Sequence, residues 1–221
     1  MADYVLVHGG NMSADTWNRL AGRIDYAPGS HLGAKYWDGT AAFLRAHGHR
    51  AFIPTLEDEN SSTLTRHIEQ VCALIADNDL KDIILVGHSY GGMVITGVAA
   101  RMRDRIRRLV YLDAALPDPG QSLYDILNIG LASSAGPRPA LPDPATPYVE
   151  KLRYDPALLR SLPKTYILCT KSEFKNVTRI AKQKIAAAPQ GWTYLELPSS
   201  HVPMADLPDK LYRLMLDAAL K

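Results

Sequence analysis

Six short apolar runs, each separated from the next by enough residues for a helix, restrict the folds open to this chain more than any other feature. They are DYVLVH at 3–8, HRAFIP at 49–54, DIILVG at 82–87, RRLVYLD at 107–113, KTYILCT at 164–170 and WTYLELP at 192–198. Nearly continuous apolarity, rather than strict alternation, marks strands buried on both faces. Such strands are parallel and joined by crossovers. The expected class is α/β: a mainly parallel sheet of six strands or slightly more, with helices on both faces. Hydrophobic residues make up 47% of the 221, enough to fill one core. A single domain over 1–221 is expected.

Helices are expected at 38–47, which opens on an Asp and stops before Gly48, and at 63–77, where Leu64, Ile68, Val71, Leu74 and Ile75 share a face. Two more are expected at 90–103 and 207–219. The stretch 117–163 holds nine of the 15 prolines, a density that neither a helix interior nor a central strand tolerates. It reads as a cap running over one edge of the sheet, with one amphipathic helix, QSLYDILNIGL, at 121–131. A second irregular stretch at 25–37 delays the first helix.

Several function classes are disfavoured by composition. A net charge of +2 and a pI near 8.5 provide no field for nucleic acid or an anionic membrane. The basic run RMRDRIRRL at 101–109 falls where a helix should end, and cations suit that position. Two cysteines, Cys72 and Cys169, sit among apolar residues and suggest neither a disulfide framework nor a zinc site. No segment reaches the roughly 18 apolar residues of a membrane helix, and the N-terminus enters a strand with no leader pattern. A cytoplasmic protein, monomer or homodimer, with no cofactor or metal, is expected.

The turn GHSYGG at 87–92 carries the chemistry. Glycine, any residue, serine, any residue, glycine between a buried strand and an apolar helix is the pattern of a nucleophile elbow. Ser89 takes a cramped backbone conformation there, side chains at 87 and 91 would collide with the turn, and the following helix directs its N-terminus at the hydroxyl. Neither GxGxxG nor GK[ST] occurs, which removes a dinucleotide or phosphate loop. A serine hydroxyl needs a base. Of the seven histidines, His201 in LPSSHVPM follows the last strand at the same sheet edge, just before the final helix. The loop VLVHGGNM at 5–12 ends the first strand at that edge too. Its Gly10 amide and the amide of Tyr90 are the expected donors to an oxyanion, with His8 bracing the loop.

These motifs, VLVHGG, GHSYGGM and SHVPM with Trp17 and VYLDAALPDPGQS, resemble the α/β-hydrolase fold over nearly the whole chain. They look most like compact bacterial esterases related to the plant methylesterase and hydroxynitrile lyase group. The resemblance implies a third catalytic member, an aspartate, just after the strand TYILCT, but Ser172 stands at that position. Glu173 is one residue displaced. Asp113 is the other candidate. From Ser89 about 13 helical residues descend roughly 20 Å, and seven strand residues climb back roughly 20 Å, so Asp113 emerges level with the serine. A carboxylate closing an apolar strand is also costly to bury without a partner. A Ser-His dyad is the third option.

The expectation is therefore a serine hydrolase of a small to medium carboxylic ester, acting through an acyl-enzyme. Lyases of the group normally carry a lysine beside the catalytic histidine, where Val202 stands here. Non-catalytic binders and cofactor-free enzymes on the same scaffold remain alternatives. Asn11 and, on the cap helix, Leu123, Tyr124, Ile126 and Leu127 are the candidate pocket residues.

Overall fold

The computed structural model describes residues 1–10, 12–132 and 145–220. In chain order the elements are β1 (Asp3–Val7), α1 (Ala14–Ala21), a 3₁₀ turn (Gly33–Trp37), α2 (Asp38–Ala46), β2 (Arg50–Phe52), α3 (Leu64–Asp77), β3 (Ile83–His88), α4 (Gly91–Arg101), β4 (Ile106–Leu112), α5 (Leu123–Ala132), α6 (Thr146–Val149), α7 (Ala157–Arg160), β5 (Lys164–Cys169), α8 (Lys175–Ala187), β6 (Trp192–Leu197), α9 (Pro203–Asp206) and α10 (Pro208–Leu220). Each of the six apolar runs forms a strand. All pairings are parallel, in the order β2-β1-β3-β4-β5-β6.

The strands β1, β3 and β4 are buried on both faces because alternate residues feed two cores. Val5, Val7, Leu85, Leu109 and Tyr111 point into one, shared with α3, α4 and α8; Tyr4, Leu6, Ile84, Val86, Val110 and Leu112 point into the other, shared with α1, α2 and α10. This two-sided burial is the physical reason for the continuous apolar runs. Helix α1 falls outside the sequence expectations. Its eight residues are delimited by Ser13, whose side chain accepts from the Thr16 amide, and by left-handed Gly22, a capping pair that could have revealed it. The stretch at 25–37 ends in the 3₁₀ turn, which buries Tyr36 and Trp37.

The chain runs from β1 outward to β2 and then returns past β1 to β3, so the strand order reverses between β1 and β3. Crevices form beyond the carboxyl ends of strands at such a switch point, and both the HGG loop and the serine turn leave the sheet there. Among the described residues no helix is long and apolar enough to cross a membrane.

Close packing behind the serine turn depends on Gly87, where an added Cβ would lie 2.6 Å from the Gly91 carbonyl oxygen and 3.0 Å from Ile95 Cδ1. Gly87→Ala should therefore lower the unfolding free energy by about 1–3 kcal/mol in urea denaturation. An unchanged midpoint would contradict this packing.

Candidate active site

Ser89 and Asp113 follow directly on β3 and β4, and each leaves its strand in the left-handed region, at φ 56° and 44°. That conformation is costly for residues with a side chain and persists only where the surroundings enforce it. Here the neighbouring strands do so. The register pairs His88 with Leu112, the Ser89 amide donates to the Leu112 carbonyl at 3.3 Å, and the Asp113 amide donates to the Ile167 carbonyl at 2.7 Å. The two side chains thus emerge level at the carboxyl edge of the sheet.

His201 reaches the same point from the loop between β6 and α9. Its Nε2 lies 2.9 Å from Ser89 Oγ, and its Nδ1 lies 2.7 Å from Asp113 Oδ2. Asp113 is fully buried; a carboxylate can only accept, so Nδ1 carries the proton shared with it. That leaves the Nε2 lone pair for the serine hydroxyl. The other carboxylate oxygen, Oδ1, accepts from the Cys169 amide at 2.9 Å, a contact no sequence reading anticipated.

Ser172, where an aspartate is expected by resemblance, is buried with its Oγ 3.5 Å from His201 Nδ1, while accepting from the Phe174 amide at 3.0 Å. Glu173 is exposed and lines the cavity in front of Ser89. Of the two candidate carboxylates, Asp113 is the one that holds the Nδ1 hydrogen bond.

The HGG loop is held from both sides. The Gly9 amide donates to Tyr36 Oη, and the Gly9 carbonyl lies 2.8 Å from His8 Nδ1. His8 Nε2 accepts from the Leu56 amide at 2.9 Å, so Nδ1 is the protonated nitrogen and donates to that carbonyl. Because the peptide is trans and planar, the Gly10 amide points away from His8. Gly9 itself must lack a side chain, since a Cβ there would meet Ser89 Cβ at 2.6 Å.

His88 extends this network to His201. Its Nε2 lies 2.7 Å from the His201 carbonyl, which can only accept, so Nε2 is protonated and Nδ1 accepts from Tyr36 Oη at 3.1 Å. A continuous chain therefore runs from the Gly9 amide through Tyr36 and His88 to the His201 backbone. His67 is likewise fixed: Nε2 donates to the Glu57 carbonyl at 3.0 Å, and Nδ1 accepts from Tyr90 Oη at 3.0 Å. Burial holds all three imidazoles below the ordinary histidine range, that of His8 at about 4 and that of His88 well below 6.5. They are neutral, single-tautomer braces. The local spacing of His88 does not reveal its partners, 52 and 113 residues away.

A cavity of about 550 Å³ opens over Ser89, its wall including Met12, Thr16, Arg19, Leu20, Glu59 and Tyr148 as well as Gly9, Gly10, His201 and Val202. Tyr148, from α6, donates to Glu59 across Gly10 and packs edge-on against Tyr90, with centroids 5.0 Å apart. The expected cap residues lie elsewhere. Leu123 and Ile126 are buried in the core shared with α8, and Leu127 packs on that core. Tyr124 is half-exposed. None of the four is among the described lining residues, because α5 turns its apolar face to α6 and α8 rather than toward Ser89. Asn11 lies outside the described residues.

Comparison with known proteins fits this arrangement. A family model described as "Alpha/beta hydrolase family" matches residues 4–160. The carbendazim hydrolyzing esterase of Nocardioides sp. is 46% identical over 136 residues, covering 58% of this chain and 48% of that protein. Methylesterase 8 of Arabidopsis thaliana is 31% identical over 131 residues, covering 55% and 47%. The chain thus spans about half the length of the curated relatives it matches. A solved extracellular alpha/beta-hydrolase from a Paenibacillus species, described as sharing structural and functional homology with tobacco salicylic acid binding protein 2, aligns at 25% identity and a TM-score of 0.73, covering 99% of each chain.

Tyr36→Phe would leave the Gly9 amide and His88 Nδ1 without their shared partner in a buried site. An otherwise isosteric change should then cost about 1–3 kcal/mol of unfolding free energy. Urea denaturation measures it, and full stability in the variant would contradict the network.

Proposed function

The chain belongs to the alpha/beta hydrolase family, and on that premise we propose that it is a serine esterase acting on a small to medium carboxylic ester through an acyl-enzyme. The observation that carries the reading is the pair of hydrogen bonds, 2.9 and 2.7 Å, joining Ser89 Oγ through His201 to buried Asp113. The names of the relatives, an esterase and a methylesterase, point to the same reaction class.

In this mechanism Ser89 Oγ attacks the ester carbonyl carbon while its proton passes to His201 Nε2. Asp113 stabilises the imidazolium and keeps the ring in its reactive tautomer. The carbonyl oxygen, now negative, takes hydrogen bonds from the amides of Gly10 and Tyr90. Tyr90 precedes α4, whose leading N–H groups have no acceptors within the helix. Collapse breaks the bond to the leaving oxygen, which collects the proton from Nε2. Water then repeats the sequence on the acyl-enzyme, releasing the carboxylic acid and restoring Ser89. Of the expected cap at 117–163, residues 133–144 lie outside the described residues; of the rest, Tyr148 over Gly10 limits the depth of the cavity. Lyase chemistry is disfavoured because the residue after His201 is Val202, apolar and 3% exposed, with no ammonium to offer.

With a chromogenic short-chain ester, Ser89→Ala should reduce turnover to background. Asp113→Asn should lower kcat on the order of 10⁴-fold, and Glu173→Gln should stay close to wild type. Full activity in Ser89→Ala would end the serine mechanism. A larger loss in Glu173→Gln than in Asp113→Asn would move the acid to Glu173.

A further inference from the structure

A second cavity, of about 350 Å³, is walled by the amino ends of β5 and β6, the segment after β4, and α8, and shares no lining residue with the one over Ser89. Lys164, the first residue of β5, sits in its wall with Trp192, the first residue of β6, which is its partner in the strand register. Lys164 is only 9% exposed. Its Nζ donates to the Leu162 carbonyl at 2.8 Å and lies 5.5 Å from the centre of the Trp192 ring. Neither partner is an anion, and an ammonium has three protons to place. Among the described residues no carboxylate pairs with it.

The remaining charges in the wall do not balance it. Lys184 is paired with Asp118 at 2.9 Å, and exposed Arg160 adds another cation. Three cations thus face one carboxylate around a wall that also presents Trp192 and Tyr111. Burial, and then the charge of Arg103, push the Lys164 ammonium below the ordinary lysine range. A buried cation held only by a carbonyl and a ring face is costly to keep charged, and a bound anion would offset that cost with charge-assisted hydrogen bonds.

We propose that this cavity is a second ligand site, taking a small organic monoanion whose carboxylate sits on Lys164 and whose apolar or aromatic body packs against Trp192. The inference stands on this cavity alone and does not depend on the reaction at Ser89. Nothing in the positions of the two cavities requires one ligand to serve both.

Phenylacetate titrated into the full chain, with the indole N–H signal of Trp192 followed by NMR, tests it. Saturable shifts are expected. Phenylacetamide, the uncharged counterpart, should bind at least about tenfold more weakly, and Lys164→Met should weaken phenylacetate by a similar factor. The absence of saturable shifts, or equal affinity for the amide, overturns the proposal. Arg19→Ala, at the other cavity, distinguishes the sites: phenylacetate binding that is lost there and survives Lys164→Met also overturns it. If Lys164→Met does not fold, the charge reversal Arg160→Glu at an exposed position takes its place. Weakened phenylacetate binding in that variant supports the site, and unchanged affinity overturns it.

Discussion

A carboxylate with no access to water organises the carboxyl edge of the sheet. Asp113 is fully buried, and a buried carboxylate is tolerated only where donors replace its hydration. It has two: the His201 Nδ1 proton and the Cys169 amide, at 2.7 and 2.9 Å. The first joins the loop after β6 to the end of β4, and the second joins β4 to β5. Parallel pairing in register does the rest, because it brings β3, β4 and β5 to the edge together and leaves Ser89 and Asp113 level with one another. Both residues adopt left-handed backbone conformations, and the inter-strand amide bonds on either side hold them there.

A second constraint acts on the loop after β1. Gly9 is held on both sides, its amide donating to Tyr36 and its carbonyl accepting from His8. The same Tyr36 connects to His88 and so to the backbone of His201. In the proposed mechanism the oxyanion loop and the base are therefore set by one hydrogen-bonded chain. Each imidazole in it has one nitrogen that must donate and one that must accept, so protonating any of them would break a bond on which the next depends. Burial keeps them neutral, and their neutrality keeps the geometry single-valued.

Much of this was readable from the residues. Continuous apolar runs signalled strands buried on both faces, and each formed one. The glycines around Ser89 announce a strand-to-helix turn, and helix and strand rise alone bring Asp113 level with it. The family resemblance to plant methylesterases likewise holds, since Methylesterase 8 is among the relatives. Other features could not be read because they are relations across the fold. Tyr36 and His88 are 52 residues apart in sequence, and neither has a local pattern marking it as a partner of the other. The amphipathic pattern of α5 correctly shows that Leu123 and Ile126 are buried. Periodicity carries no information on what they are buried against, and the partner is α8 and α6 rather than a substrate. Tyr148 and Glu59 meet over Gly10 only because an irregular loop and a four-residue helix converge there.

The central claim is that Asp113, one strand away from the position at which Ser172 stands, holds the proton of His201. Low-temperature proton NMR reads that hydrogen directly, as a far-downfield Nδ1–H resonance. The resonance should be present in the wild type, disappear or move strongly upfield in Asp113→Asn, and persist unchanged in Glu173→Gln. A resonance that survives in Asp113→Asn and vanishes in Glu173→Gln would contradict the account.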